Sequence, residues 1–256
     1  MDKLKSIFKI TFFLSAVLFI SASCSDDKEE PAPQPSRLVK QVRIYHSADD
    51  TKLLTTLTFD YDTKGRLIKV YSSEPLGVVN YTYPANDKVT YTYASASSTL
   101  VEVSTDLEDG RSYSCSFSDK ENDTNYLYDN GYLKTSKNGN LELKYSWDNG
   151  NLKSIVSSPS ALYNNKFNAS DIANDYSIDL NTLPQLVDKR ADYQSVVNIY
   201  GQMAGILGER SKNIIENTEY LYDYSFDKEG RLKQLSVVAD GEAYTFRIAC
   251  GENILE

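Results

Sequence analysis

The feature that most limits how this chain can fold is a short unit that occurs four times: an aromatic residue, Asp, a turn, Gly, then Leu one or two residues later. The copies are Tyr61-Asp62-Thr63-Lys64-Gly65-Arg66-Leu67, Tyr128-Asp129-Asn130-Gly131-Tyr132-Leu133, Trp147-Asp148-Asn149-Gly150-Asn151-Leu152 and Phe226-Asp227-Lys228-Glu229-Gly230-Arg231-Leu232. Repetition of this kind means that one supersecondary unit is built several times. Turn chemistry identifies the unit. In the longer copies Asp at the first position of a type I turn accepts a backbone N–H, and Gly supplies the positive φ that follows. In the shorter copies Asn-Gly is the favoured pair of a two-residue type I′ hairpin. Asp109-Gly110, Lys137-Asn138-Gly139-Asn140 and Asp240-Gly241 add further turns. The aspartates of these units read as turn formers, not as catalysts.

Between the turns, hydropathy alternates with period two. Leu57, Phe59 and Tyr61 oppose Thr56, Thr58 and Asp60; Val89, Tyr91 and Tyr93 oppose Thr90 and Thr92. Leu141, Leu143, Tyr145 and Trp147 oppose Glu142, Lys144 and Ser146, and Tyr220, Tyr222, Tyr224 and Phe226 oppose Leu221, Asp223 and Ser225. One face is apolar and aromatic and the other polar, which is the signature of an antiparallel sheet wet on one side. Twenty tyrosines beside only 12 glycines and 7 prolines suit strands better than disorder. The expected fold is mainly β: an antiparallel meander of about ten to twelve strands forming a large curved sheet or a partly open barrel.

An apolar sheet face has to be covered, or the sheet has to curl on itself. The segment 157–213 lacks the alternation and is the expected cover, an irregular or helical insertion packed on the sheet. Within it Tyr193, Val196, Val197, Tyr200, Met203, Ala204 and Leu207 recur at helical spacing, and Gly208 is placed to end that helix. The run from Pro159 to Pro184 reads as loop.

The first residues give an address. Lys3, Lys5 and Lys9 precede an apolar stretch from Ile10 to Ile20, and the small residues Ser21, Ala22 and Ser23 lead to Cys24. This is the layout of an export signal over residues 1–23. The apolar run is far shorter than the roughly 20 residues of a membrane-spanning helix. The cysteine directly after the small residues resembles the lipobox of bacterial lipoproteins, with Ser21 standing where Leu is commonest. Cys24 is therefore the expected lipid attachment site, and several acyl chains there would hold the protein to a membrane without a transmembrane segment. The alternative is an ordinary signal with a chance cysteine. Residues 24–37 form a linker, acidic in Asp26-Asp27-Lys28-Glu29-Glu30 and then rich in proline, a composition that favours an extended spacer. The acidic stretch resembles the short tag after the lipid cysteine of surface-exposed Bacteroidota lipoproteins. Residues 38–256 are expected to form a single β-rich domain.

The aromatic-Asp hairpins resemble those of Rhs and YD-repeat proteins. The whole arrangement, with Met203-Ala204-Gly205-Ile206-Leu207-Gly208 in a Gly-rich close to the insertion and Tyr224 to Leu232 as a last repeat, is similar to a family of uncharacterised Bacteroidota lipoproteins. That resemblance implies a lipid-anchored β protein and confers no activity.

Chemistry is sparse. Removing residues 1–23, with three Lys and one Asp, takes the formal charge from −9 to −11, which opposes phosphate backbones and argues against nucleic-acid binding. His46 is the only histidine, too few for a His-rich zinc site or a nucleophilic triad built on it. Gly201, Gly205 and Gly208 lack the Lys-Ser/Thr ending of a phosphate loop and read as helix packing or a helix stop. Asp119, Glu121 and Asp123, and Asp106 and Glu108 before Asp109-Gly110, have an alternation seen in calcium loops without the full pattern. Cys115 and Cys250 lie in alternating runs, Cys115 with Tyr113 and Phe117, Cys250 with Tyr244, Phe246 and Ile248, that point into the core; they are either bridged or free thiols. No cofactor or metal is expected, and the ligand-binding residues are unassigned. The expected function is a non-enzymatic binding or scaffold lipoprotein of the outer membrane, facing outward, with a glycan or protein partner. The alternatives are a carrier of lipid or another apolar ligand in a curved sheet, and a hydrolase built on two carboxylates.

Overall fold

The computed structural model describes residues 37–46, 52–73, 77–94, 101–117, 123–159, 164–187, 193–239 and 241–251. The signal segment, Cys24, the linker up to residue 36, the acidic residues Asp119 and Glu121, and Asp240 lie outside them. Sixteen strands are present among the described residues. The first eight are β1 (Val39–Tyr45), β2 (Leu53–Tyr61), β3 (Leu67–Ser72), β4 (Val78–Ala85), β5 (Lys88–Ala94), β6 (Val101–Glu108), β7 (Arg111–Phe117) and β8 (Thr124–Asp129). Then come β9 (Tyr132–Asn138), β10 (Leu141–Asp148), β11 (Asn151–Ser158), β12 (Asn164–Ala173), β13 (Asn213–Asn217), β14 (Leu221–Phe226), β15 (Leu232–Ala239) and β16 (Glu242–Cys250).

Every sequential pair except β13 and β14 is joined by an antiparallel ladder, and β1 also pairs with β16, so the meander returns on itself as a nearly closed barrel. The sheet is thus larger than the ten to twelve strands expected. The gap is a seam between β13 and β14. A short turn over 218–220 joins them, and side chains replace the ladder: Asn217 N–H donates to Tyr222 Oη at 3.0 Å, and Tyr224 Oη donates to Glu216 Oε1 at 2.9 Å.

An antiparallel meander reverses at each turn, so every turn after an even-numbered strand lies at one end of the barrel. All four repeat units belong to that set, following β2, β8, β10 and β14. Their chemistry is as the sequence indicates. Asn130 and Gly131, and Asn149 and Gly150, all have positive φ, as a type I′ turn needs. In the longer form Asp62 Oδ1 accepts from Lys64 N and Arg66 N, both at 2.9 Å, and Oδ2 accepts from Arg66 Nε at 2.7 Å. Asp227 repeats this with Glu229 N, Arg231 N and Arg231 Nε. Burial raises both carboxyls, but the hydrogen bonds from Arg66 and Arg231 outweigh it, and each sits below its ordinary value. Because folding lowers these pKa values, the ionised carboxylates stabilise the fold above the ordinary carboxylate range, and the contribution is lost as pH falls through it. The urea midpoint of the wild type is expected to drop more between about pH 5 and 3 than that of an Asp62→Asn, Asp227→Asn variant. Equal slopes would contradict this account.

Each repeat also carries a β-bulge, which periodicity alone does not reveal. Tyr61 faces Leu67 while Asp60 faces Lys69, so Ile68 is an extra residue in β3. Lys134, Lys153 and Lys233 are the extra residues at the other three copies. The repeated leucine directly precedes the bulge, and Leu67, Leu133, Leu152 and Leu232 are all buried. Bulges shift side-chain parity. Tyr113, expected inward, is the extra residue of β7 and is exposed while Ser112 takes the interior place; Phe226, expected on the apolar face, is the last residue of β14 and is exposed there.

Elsewhere the alternation is as expected. Val42, Ile44, Leu57, Phe59, Val79, Tyr81, Val89, Tyr91 and Tyr126 are buried in one core. The outer wall carries Arg43, Thr56, Thr58, Asp60, Lys69, Asn80, Thr82, Thr90, Thr92, Glu102, Ser104 and Asp106, all on the opposite parity, with exposed apolar residues such as Leu127 and Val238 among them.

The segment 157–213 is not wholly irregular. β11 extends to Ser158, and 164–173 form β12, whose mostly polar side chains hid it from hydropathy; its ladders to β11 and β13 hold it. Among its described residues the insertion proper, 174–212, holds two 3-10 turns, Leu180–Thr182 and Pro184–Val187, and one helix, α1 (Tyr193–Met203). Gly205 at φ +75°, not Gly208, ends this helix, with Gly205 N–H donating to Gln202 O and Ile206 N–H to Gly201 O. The insertion fills the barrel interior: Tyr176, Ile178, Leu180, Leu183, Tyr200, Met203 and Leu207 are buried. Its polar atoms bond to strands on many sides. Tyr81 Oη donates to Tyr200 O at 3.0 Å, Tyr126 Oη to Asn198 Oδ1 at 2.7 Å, and Leu232 N–H to Tyr176 Oη at 2.6 Å. The repeat turns grip its exit, since Gly131 O accepts from Glu209 N and Gly150 O from Lys212 N.

Candidate functional site

One part of the interior is left open. Between the insertion and the wall from β10 to β14 lies a partly open cleft with a free volume of about 110 Å³. Its walls are Leu143 and Tyr145 of β10, Ile155 of β11, Asn165 and Phe167 of β12, Ile215 and Asn217 of β13, Tyr220 of the seam turn and Tyr222 of β14. The insertion supplies Asn181, Pro184 and Gln185 from the 3-10 turns and Asn198, Ile199 and Gln202 from α1. The cleft lies in the half of the barrel away from the repeat turns, beside the seam.

Six side-chain amides and three tyrosines line this cleft, and among the described residues no acidic or basic side chain does. Four amides are anchored. Asn181 Oδ1 accepts from Ile215 N at 2.8 Å and its Nδ2 donates to Asn213 O at 3.2 Å; Gln185 Nε2 donates to Asn181 O at 3.1 Å. Asn217 Oδ1 accepts from Glu219 N at 3.0 Å, and Asn198 Oδ1 accepts from Tyr126 Oη. The side-chain amides of Asn165 and Gln202 make no hydrogen bond among the described residues. Burial pushes the Tyr222 phenol up to about 12, so it stays protonated and can donate as well as accept. The arrangement offers neutral donors and acceptors above an apolar floor; it supplies neither a nucleophile nor a proton-transfer pair.

The residues singled out by sequence fall elsewhere. Cys24 lies outside the described residues. Cys115 on β7 and Cys250 on β16 are both buried and free, with β1 to β6 between their strands, so no bridge forms. Burial raises the Cys115 thiol and pushes that of Cys250 up to about 11, which keeps both protonated and unreactive near neutral pH. His46 follows β1 at the opposite end from the repeat turns; its Nε2 lies 3.0 Å from Glu242 Oε2 and its ring stacks on Tyr244 with centroids 4.9 Å apart. Gly201 lets α1 approach Leu207, and a Cβ at Gly208 would lie 2.7 Å from Gly131 O. These glycines serve packing. No group of three or more His, Cys, Asp or Glu able to hold a metal occurs among the described residues. The buried carboxyl of Asp179, raised by desolvation, caps a 3-10 turn by accepting from Asn174 Nδ2 at 2.7 Å and Asn181 N at 3.0 Å.

Sequence reasoning missed the cleft residues because amides carry no periodic signal. The one available trace was the density of Asn and Gln between Asn164 and Asn217, in a stretch that read as loop.

No protein-family model matches the chain, and no curated protein does. Among solved structures, the fold is similar to a porin-like protein from Bacteroides uniformis, with a TM-score of 0.57 and 16% sequence identity over 86% of this chain and 100% of that one. At that identity the likeness concerns the fold.

Proposed function

We propose that the protein is a lipid-tethered, non-enzymatic binding module associated with the outer membrane, with acyl chains on Cys24, the barrel in water and the cleft as its ligand site. The observation that carries this reading is the polarity of the wall. A barrel that spans lipid turns an apolar band about 25 Å tall outward and a polar surface inward. Here charged and hydroxyl side chains such as Arg43, Asp60, Lys69 and Glu102 point out, and the aromatic side is consumed by the insertion. A wall of this kind leaves the membrane attachment to the amino-terminal segment. The porin-like fold of the structural neighbour and the lipobox-like cysteine both fit an outer-membrane address. The chain enters β1 at the end of the barrel that carries the repeat turns, and the cleft lies in the half away from that end. The filled interior disfavours a carrier of lipids, since the open cleft, with a free volume of about 110 Å³, is too small to enclose an acyl chain.

The test is fractionation of the full chain, exported by its own signal, beside a Cys24→Ala variant. The wild type is expected in the membrane fraction and resistant to high-salt extraction, and the variant in the soluble fraction with an unchanged β-rich circular-dichroism spectrum. A folded variant that remains with the membranes would refute the tether.

A further inference from the structure

The seam cleft has a chemistry specific enough to name a ligand class. We infer that it binds one neutral, polyhydroxylated six-membered ring, the end unit of an uncharged saccharide, with Asn165 and Gln202 as its principal hydrogen-bonding residues. This rests on the reading of the protein as a binding module and deepens it.

Charge is the first discriminator. Among the described residues none of the lining side chains is acidic or basic, so an ionised ligand group would lose its hydration without gaining a counter-charge from them. The second is the state of the amides. Asn165 on β12 and Gln202 on α1 face the cleft with no partner among the described residues. Each offers a carbonyl acceptor next to an NH₂ donor. Adjacent hydroxyls on a ring are each donor and acceptor, and can meet both atoms of one amide. A purely apolar ligand would strip water from these amides and leave them unsatisfied, at a cost an open apolar cavity does not impose. The third is shape. Phe167, Tyr145 and Tyr222 supply flat apolar surface against which the C–H face of a saccharide ring can pack while its edge stays polar. The fourth is size. The cleft is partly open and its free volume is about 110 Å³, so it seats one ring with the outer edge of that ring in solvent, and the remainder of a longer chain stays outside.

The experiment is calorimetry and saturation-transfer NMR on the full chain in a zwitterionic detergent, with glucose, galactose, mannose, xylose and N-acetylglucosamine, and with glucuronic acid and a medium-chain fatty acid as contrasts. At least one neutral sugar is expected to bind, more tightly than either contrast. Gln202→Leu and Asn165→Leu are each expected to weaken that binding about three- to tenfold, with the melting temperature unchanged. No neutral sugar binding at millimolar concentration, tighter binding of the acid or the fatty acid, or affinity indifferent to both substitutions would each overturn the inference. The fractionation of Cys24→Ala separates the two claims: a chain that needs Cys24 for attachment but ignores sugars keeps the tether and loses the ligand, and the converse result does the opposite.

Discussion

Replacing Tyr200 by Ala is expected to lower the unfolding free energy by about 3–5 kcal/mol, the range for removing a large buried aromatic. Tyr200 lies on α1 at the centre of the filled barrel, 1% exposed, with its ring 5.8 Å from that of Tyr93 and its carbonyl accepting from Tyr81 Oη. Few neighbours can move into the space, because the helix is flanked by strand ladders that fix the surrounding wall. Urea denaturation followed by far-ultraviolet circular dichroism measures the loss. Tyr71→Ala is the control: this side chain is on the outer wall and half exposed, so its removal should change stability by less than about 0.5 kcal/mol. Similar losses for the two variants would show that the insertion is not a packed part of the core.

Gly208→Ala is the second large effect, expected to cost about 2–4 kcal/mol. Two causes add. Gly208 has φ +88°, where a side chain is strained, and a Cβ there would lie 2.7 Å from the carbonyl oxygen of Gly131 and 2.7 Å from the Tyr128 ring. That carbonyl also accepts from Glu209 N at 2.8 Å, so relieving the clash pulls the insertion off a repeat turn. Hydrogen exchange at the Glu209 amide is expected to speed up beyond what the global stability change explains. Gly205→Ala separates the causes, since Gly205 has φ +75° but open space where its Cβ would be, and its cost should be near 1 kcal/mol. Equal costs at the two glycines would remove the packing argument.

The fold was legible wherever one residue type served one purpose. Asn130-Gly131 and Asn149-Gly150 stated their turns, and Val89, Tyr91 and Tyr93 stated their face, because positive φ and burial each act locally. Closure was harder to read. It depends on β1 meeting β16, a pairing between Val39 and Cys250 that no local pattern encodes. β12 was hidden for another reason: a strand held by its ladders needs no apolar stripe, and Asn164, Asn165 and Asn168 look like loop. A bulge misled the reading of Tyr113, since one added residue in β7 reverses which side faces inward. The cleft was the least legible part. Asn165, Asn198 and Gln202 come from a strand and a helix separated in sequence, and only the tertiary fold brings them to one cleft.

The pairing of the first strand with the last has a consequence for how the protein reaches its final state. β1 is the first strand to emerge during synthesis, yet one of its two neighbours is the final segment of the domain. The ring cannot shut until the carboxyl-terminal strand is available, and contacts of such long sequence separation form slowly. Until that strand is available β1 lacks one of the two ladders that hold it, so closure is the late step in assembling this fold.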